Sequence, residues 1–304
     1  MIKKAIIPPA LEIGDTIGVF SSSSWGSKAD LQKNVTFMTS KGYRIYIHPQ
    51  TTNRKGQSAG ETRGKIDAFH ALVRNPEIKA IISNRGGNRA LTMLDKIDYD
   101  LVAAHPKILM GYSDMTSLLN AVTQKTGLVT FHGPLFSGLS HHQDLEQMFG
   151  ILTGASPEMD FSGCDILHEG KAQGRLIGGN LSILQALSGT PYQPDTDGAI
   201  LFIEDAGDHL SRYDRMLTHM KLAGWFDNIH GLIIGSFTNS QDNKDRPFGF
   251  TLEEIIGQHF ENTDIPIIMN APFGHGDRLL TFPIGVETLL TAKNGDISFK
   301  INML

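Results

Sequence analysis

The stretch "ILMGYSDMTSLLNAV" (residues 108–122) opens as an apolar run and closes as a helix-like segment, with Gly111-Tyr112-Ser113-Asp114 at the corner between them. A short apolar run bounded by glycine reads as a buried strand. A strand that feeds directly into a helix is the unit from which parallel, doubly wound sheets are built. The corner also raises a question of chemistry. Ser113 can be an ordinary cap for the helix that follows, or the tight turn can aim its hydroxyl outward.

Outward from this corner the same alternation repeats. Strands are expected at "TIGVFSSS" (16–23), "YRIYIHP" (43–49), "IKAIISN" (78–84), "PKILMGYS" (106–113) and "LVTFHGP" (128–134). Helical patterns at about 28–40, 61–75 and 114–126 lie between several of them. The N-terminal part therefore reads as an α/β domain with a doubly wound parallel sheet and its functional groups at the strand C-termini. From about 140 the pattern weakens. We read 1–150 as the first domain, 151–170 as a connection and 171–304 as a second domain. Strands are expected there at "AILFIED" (199–205), "GLIIGSF" (231–237) and "IPIIMNAP" (265–272), with a hairpin turning at Asn294-Gly295, where both residues must tolerate positive φ.

The 304 residues suit two domains at roughly 150 each. A hydrophobic content of 40% supplies a large core, and a net charge of -5 with no basic run points to neither nucleic acid nor a membrane surface. Cys164 is the single cysteine, so no internal disulfide framework exists. Pro8, Pro9 and Glu12 interrupt the first apolar run, leaving it too short for a signal-peptide core. No stretch approaches the roughly 18 apolar residues of a membrane span. A soluble, cytoplasmic protein is expected.

Three polar residues end three apolar stretches: Ser113 after "KILMGY", Glu204 after "AILFI" and His275 after "IPIIMNAPFG". A serine hydroxyl is a weak nucleophile until an imidazole can take its proton, and the imidazole needs a carboxylate to fix its tautomer. Each also has a plain reading, as helix cap, solvated strand end and loop residue, and the chain has 12 histidines to choose from. Gly111 permits the cramped turn of a nucleophile elbow, and the helix beyond points free N–H groups at the corner. Gly86 and Gly87 after the neighbouring strand offer a second set of backbone N–H donors. His141, His142 and Asp144 lack metal-ligand spacing, so neither metal nor cofactor is expected.

Seven stretches together are specific: "LEIGDTIGVFSSSS", "SNRGGNRA", "ILMGYSDMTSLLNAV", "GRLIGGNLSILQALSGTPY", "ILFIEDAGDHLSRYDRMLTHMKLAG", "GLIIGSF" and "PIIMNAPFGHG". They run along nearly the whole chain, which resembles the LD-carboxypeptidase family of serine peptidases. The resemblance implies a Ser113–Glu204–His275 triad and an oxyanion hole at the N–H groups of Asp114 and of Gly86 or Gly87. It further implies a C-terminal mixed β domain, an active site in the cleft between domains, a homodimer, and cytoplasmic removal of the terminal D-alanine from murein L,D-tetrapeptides. Arg85 and Arg212 are candidates to clamp the substrate carboxylate, and His132 to touch substrate. The chain departs from the family pattern at Asn88, itself a substrate-binding candidate, at "FSSSSWGS" and at "GDHLSRYDRM"; these sites are expected to line the substrate cleft, so substrate detail is where the chain would differ from relatives. The alternatives are a same-family peptidase acting on a peptide-nucleotide antibiotic, an esterase, or a catalytically silent murein-peptide-binding protein.

Overall fold

In the computed structural model, which describes residues 3–302, two sheets stand side by side and share a junction. The first is built on β1 (Thr16–Phe20), β2 (Arg44–Ile47), β3 (Ile78–Ser83), β4 (Ile108–Gly111) and β5 (Thr130–His132), all parallel and ordered β5-β4-β3-β1-β2. β3, β4 and β5 are buried almost throughout, as expected of strands covered on both faces. The crossovers contain α1 (Lys28–Ser40), α2 (Thr62–Arg74), α3 (Tyr99–Ala104) and α4 (Thr116–Thr126). Local chemistry sets the helix ends. The Ser27 hydroxyl accepts from the Asp30 N–H at the start of α1, and Gly127, at φ 82°, closes α4 in the left-handed conformation. The strand order reverses between β1 and β3, and such a reversal opens a crevice beyond the strand C-termini.

Beyond α5 (Leu145–Leu152), the second sheet holds β6 (Asp165–His168), β7 (Gly170–Asn180), β8 (Ile200–Ala206), β9 (Gly231–Thr238) and β10 (Ile267–Met269). β7 to β10 run parallel, and β6 is an antiparallel edge. The other edge is a hairpin of β12 (Glu287–Lys293) and β13 (Asp296–Asn302), turning at Asn294 (φ 53°) and Gly295 (φ 82°) as the sequence indicates. Helices α6 (Leu181–Leu187), α7 (Leu210–Leu222) and α8 (Leu252–Phe260) complete this half. No helix among the described residues is long and apolar enough to cross a membrane.

Two features differ from the expected partition. The segment 151–170 is not only a connection, because β6 lies inside it and pairs with β10. β11 (Phe282–Ile284), from the C-terminal half, returns to the first sheet and pairs antiparallel with β5, Phe282 opposite His132. The halves are also pinned side by side. The Asn180 N–H donates to Thr116 Oγ1 at 3.0 Å, and Asn120 Nδ2 donates to the Gly178 carbonyl at 2.8 Å. Phe202, Phe273 and Phe282 pack against one another with ring centroids 4.9–5.6 Å apart, giving the junction its own apolar core.

Candidate active site

Ser113 begins a single 3-10 turn (Ser113–Met115) between β4 and α4. Its φ is 61°, and the other described non-glycine residues at positive φ are Asn239, Asn270 and Asn294. Asparagine tolerates this region, whereas a serine there is strained by about 1–3 kcal/mol and persists only where its surroundings enforce it. Glycines clear the space. A Cβ at Gly111 would come within 2.9 Å of the Met115 side chain, and one at Gly86 within 3.0 Å of Ser113 Oγ. The loop after β3 therefore lies against the serine.

His275 and Glu204 are joined by a hydrogen bond of 2.6 Å between Nδ1 and Oε2. The approach depends on a change of register in the second sheet. Ile203 pairs with Ile234 but Asp205 with Phe237, so β9 bulges opposite Glu204. Within the bulge, the Ser236 N–H and hydroxyl both donate to the Phe273 carbonyl, and the Thr238 hydroxyl donates to the carbonyl of His275. Gly274, at φ 102°, brings the histidine loop so close that a Cβ there would lie 2.7 Å from both Glu204 Cβ and Oε2.

Glu204 is fully buried, so its charge acts on His275 with little screening by water. Burial alone would lower the imidazole pKa. The hydrogen bond and charge of Glu204, helped by Asp205, outweigh it and hold His275 above its usual range. Asp205 turns elsewhere, accepting from the N–H groups of Ser182 and Ala206. Because Nδ1 is engaged, Nε2 is the nitrogen left for other partners.

Ser113 and His275 line one cavity of about 490 Å³ at the crevice, together with Tyr112, Arg85, Gly86, Gly87, Leu135, Ser24, Trp25 and Gln57. The Tyr112 ring lies 4.9 Å from that of His275. A second cavity of about 470 Å³, between residues 155–159 and β13, contains none of the triad candidates. Asn88 is exposed on the glycine loop and does not line the cavity. Arg212 is paired with Asp208 at 3.1 Å and is likewise absent from the lining.

His132 is fully buried beneath the site, with neither ring nitrogen partnered and its ring packed against Phe202, Phe273 and Tyr112. Burial, with Glu204 opposing and His275 assisting, lowers its pKa to about 4. It is a neutral wall beneath the site. Among the described residues no three His, Cys, Asp or Glu side chains are grouped to hold a metal ion.

Of the divergent stretches, "FSSSSWGS" does reach the cavity, through Ser24 and Trp25. Sequence reasoning missed Tyr112, Gln57 and Leu135 as lining residues. Gln57 and Leu135 are brought in by loops that show no pattern of their own.

A serine in a strained corner, an imidazole tied to a buried carboxylate and a glycine loop facing the serine are the parts needed for acyl transfer. Comparison with known proteins agrees. Residues 17–133 match the family model described as the LD-carboxypeptidase N-terminal domain, and residues 173–290 match the C-terminal one. The chain is 33% identical over 291 residues to a probable murein peptide carboxypeptidase of Bacillus subtilis, covering 93% of this chain and 91% of the relative. It is 30% identical over 332 residues to the microcin C7 self-immunity protein MccF of Escherichia coli, covering 96% and 95%. The crystal structure of muramoyltetrapeptide carboxypeptidase from Oxalobacter formigenes superposes with a TM-score of 0.85 at 26% identity, over 94% of this chain and 98% of that one. With both domain models matched in order around a site of this composition, the chain belongs to the LD-carboxypeptidase family.

Proposed function

We propose that the chain is a serine carboxypeptidase that removes the terminal D-alanine from murein L,D-tetrapeptides. The observation that carries this reading is the short His275–Glu204 bond at the wall of the cavity into which the strained Ser113 opens. Ser113 Oγ attacks the carbonyl before the terminal residue while His275 Nε2 takes the hydroxyl proton. The tetrahedral oxyanion is held by the N–H of Asp114 and of Gly86 or Gly87. As the intermediate collapses, the C–N bond breaks and His275 returns the proton to the leaving amine. Water then attacks the acyl carbonyl and gives a proton to His275; the bond to Ser113 Oγ breaks, His275 returns the proton to that oxygen, and the shortened peptide leaves. Glu204 orients His275 through Nδ1 and stabilises its charged form.

Arg85, the cationic side chain in the cavity lining, suits the free carboxylate that a carboxypeptidase must recognise. Arg212, Asn88 and His132 have no part in this reading, since none lines the cavity. The reading needs no metal, and carries with it a cytoplasmic site of action and a homodimer.

Mass spectrometry after incubation with L,D-tetrapeptides and with one peptidyl-adenylate conjugate tests it. Loss of one alanine from the tetrapeptides, unchanged by EDTA, is expected. Cleavage of the conjugate alone would move the chain to the immunity type, a reading favoured by its 30% identity to MccF. Tight binding of the tetrapeptide without turnover would make it a silent binding protein. Loss of activity in EDTA that zinc restores would end the metal-free part.

A further inference from the structure

Under the glycine loop lies a buried pair of opposite charges that the reaction above does not use. Asp114, the residue after Ser113, turns its carboxylate inward and is 1% exposed. Its Oδ2 accepts from the N–H groups of Arg89 and Ala90, each at 2.7 Å, and from the hydroxyl of Ser23. From α2 the fully buried Lys65 donates through Nζ to the Arg89 carbonyl at 3.3 Å. Arg89 is thus gripped at both ends of its backbone, by an anion at its N–H and a cation at its carbonyl.

The grip closes one end of the 85–89 loop. The other end is fastened to the first strand, where the Asn84 N–H donates to the Phe20 carbonyl at 2.7 Å and the Ser24 N–H to the Gly86 carbonyl at 3.1 Å. Between these anchors are Gly86, against Ser113 Oγ, and Gly87, which leaves no room for a Cβ beside Ser24. Asp114 is covalently next to the serine and hydrogen-bonded to the loop that faces it. Movement of either would strain the other.

Resting on the peptidase reading, we propose that Asp114 is a positioning residue whose carboxylate, balanced by Lys65, holds the 85–89 loop at a fixed separation from Ser113, so that the loop N–H meets the oxyanion as it forms. Burial pushes the Asp114 carboxyl up, against its three donors and the Lys65 charge, and brings Lys65 down to about 8. Two buried charges are a costly way to cap a turn. They suit a joint that must not shift during the reaction, because an oxyanion donor works only when it is already in place.

The competing account is a cap alone, since Arg89 and Ala90 begin a 3-10 helix (Ala90–Lys96) and Arg89 has no side-chain cap of its own. Asp114→Asn keeps the volume and a carbonyl acceptor while removing the charge. Working well below its melting temperature, we expect kcat to fall roughly 10²-fold with KM changed less than about threefold. Affinity for a peptide boronate that forms a tetrahedral adduct on Ser113 should fall in parallel, while affinity for the tripeptide product holds. Lys65→Met should give the same kcat-selective loss from the other side of the joint, and it carries the test if Asp114→Asn does not fold. A lower melting temperature with kcat within about threefold of wild type, in whichever variant folds, leaves only a cap and overturns the proposal. Equal weakening of boronate and product binding overturns it too. If the wild type neither releases alanine nor reacts with a fluorophosphonate, the peptidase reading falls and takes this role with it; an active wild type with an unimpaired Asp114→Asn removes the clamp alone.

Discussion

At Ser113 the backbone angle and the chemistry pull in opposite directions, and two substitutions separate them. Ser113→Ala keeps the strained φ and removes the hydroxyl, so it should fold normally and lose turnover by roughly 10⁴-fold or more. Ser113→Gly loses turnover equally but relieves the left-handed strain, and should melt about 1–3 °C above Ser113→Ala. Equal melting temperatures would show that φ 61° stores nothing. The second residue-scale prediction concerns pH. His275 must be neutral to accept the serine proton, and Glu204 raises its pKa, so kcat/KM should fall on acidification at a pH above the ordinary histidine value of 6.5. The same shift makes the charged pair stabilising below about pH 6.5, and that contribution is lost as pH rises through the raised pKa. Glu204→Gln should move the acid limb downward and lower kcat by about 10²–10⁴-fold, as an amide misorients the ring. An acid limb unmoved in Glu204→Gln would mean that another group titrates there. Ser113, Glu204 and His275 were legible as residue types at strand ends. The inward turn of Asp114 was not, because its donors come from Ser23, Arg89 and Ala90, all remote in sequence.

Among the elements, β1 to β5 and three helices, α1, α2 and α4, were readable because apolar runs ended by glycine, proline or serine and helical periodicity are local signals, whereas α3, at six residues, was too short to show a period. β7 was not read as a strand, although it has 11 residues and joins β8 to β12. Four glycines dilute its pattern, and their purpose lies outside the strand. A Cβ at Gly178 would stand 1.9 Å from the Phe202 carbonyl oxygen, one at Gly174 would stand 2.1 Å from that of Gly198, and one at Gly179 would meet Thr116 Oγ1 at 2.5 Å. Gly178→Ala, at φ 147° as well, should therefore cost more than about 4 kcal/mol or prevent folding. Gly163→Ala, at φ 81° in open space, should cost only about 1 kcal/mol. Chemical denaturation of both variants checks the contrast, and similar losses would mean that β7 tolerates separation from β8. The bulge in β9 was equally hidden, since only its pairing with β8 and the 273–275 loop reveals it.

Across the whole molecule the two halves are interlocked. β11, between β10 and β12 in the chain, completes the first sheet, and α4 docks on β7 through Thr116 and Asn120. Gln147 extends the lock, its side chain accepting from the Thr281 N–H and donating to the Thr281 carbonyl at 2.9 and 3.0 Å. The chain should therefore unfold in one cooperative transition, and residues 1–150 expressed alone should not give a stable domain, since β5 would lose its antiparallel neighbour and α4 its partner surface. Two resolved calorimetric transitions, or a protease-resistant 1–150 fragment, would show that the halves are independent.

By itself the amino-acid sequence determined the strand–helix alternation, the Asn294-Gly295 hairpin, the glycine corner at Ser113 and the three residue types of the proposed triad. Each depends on neighbours a few positions away, through side-chain period or allowed φ. Tertiary structure alone decided that Phe282–Ile284 crosses into the first sheet, that β9 bulges to present His275 to Glu204, and that Asp114 joins Ser113 to the glycine loop. Those outcomes turn on close backbone approach and on charges buried together, and both arise between segments that are far apart in the chain.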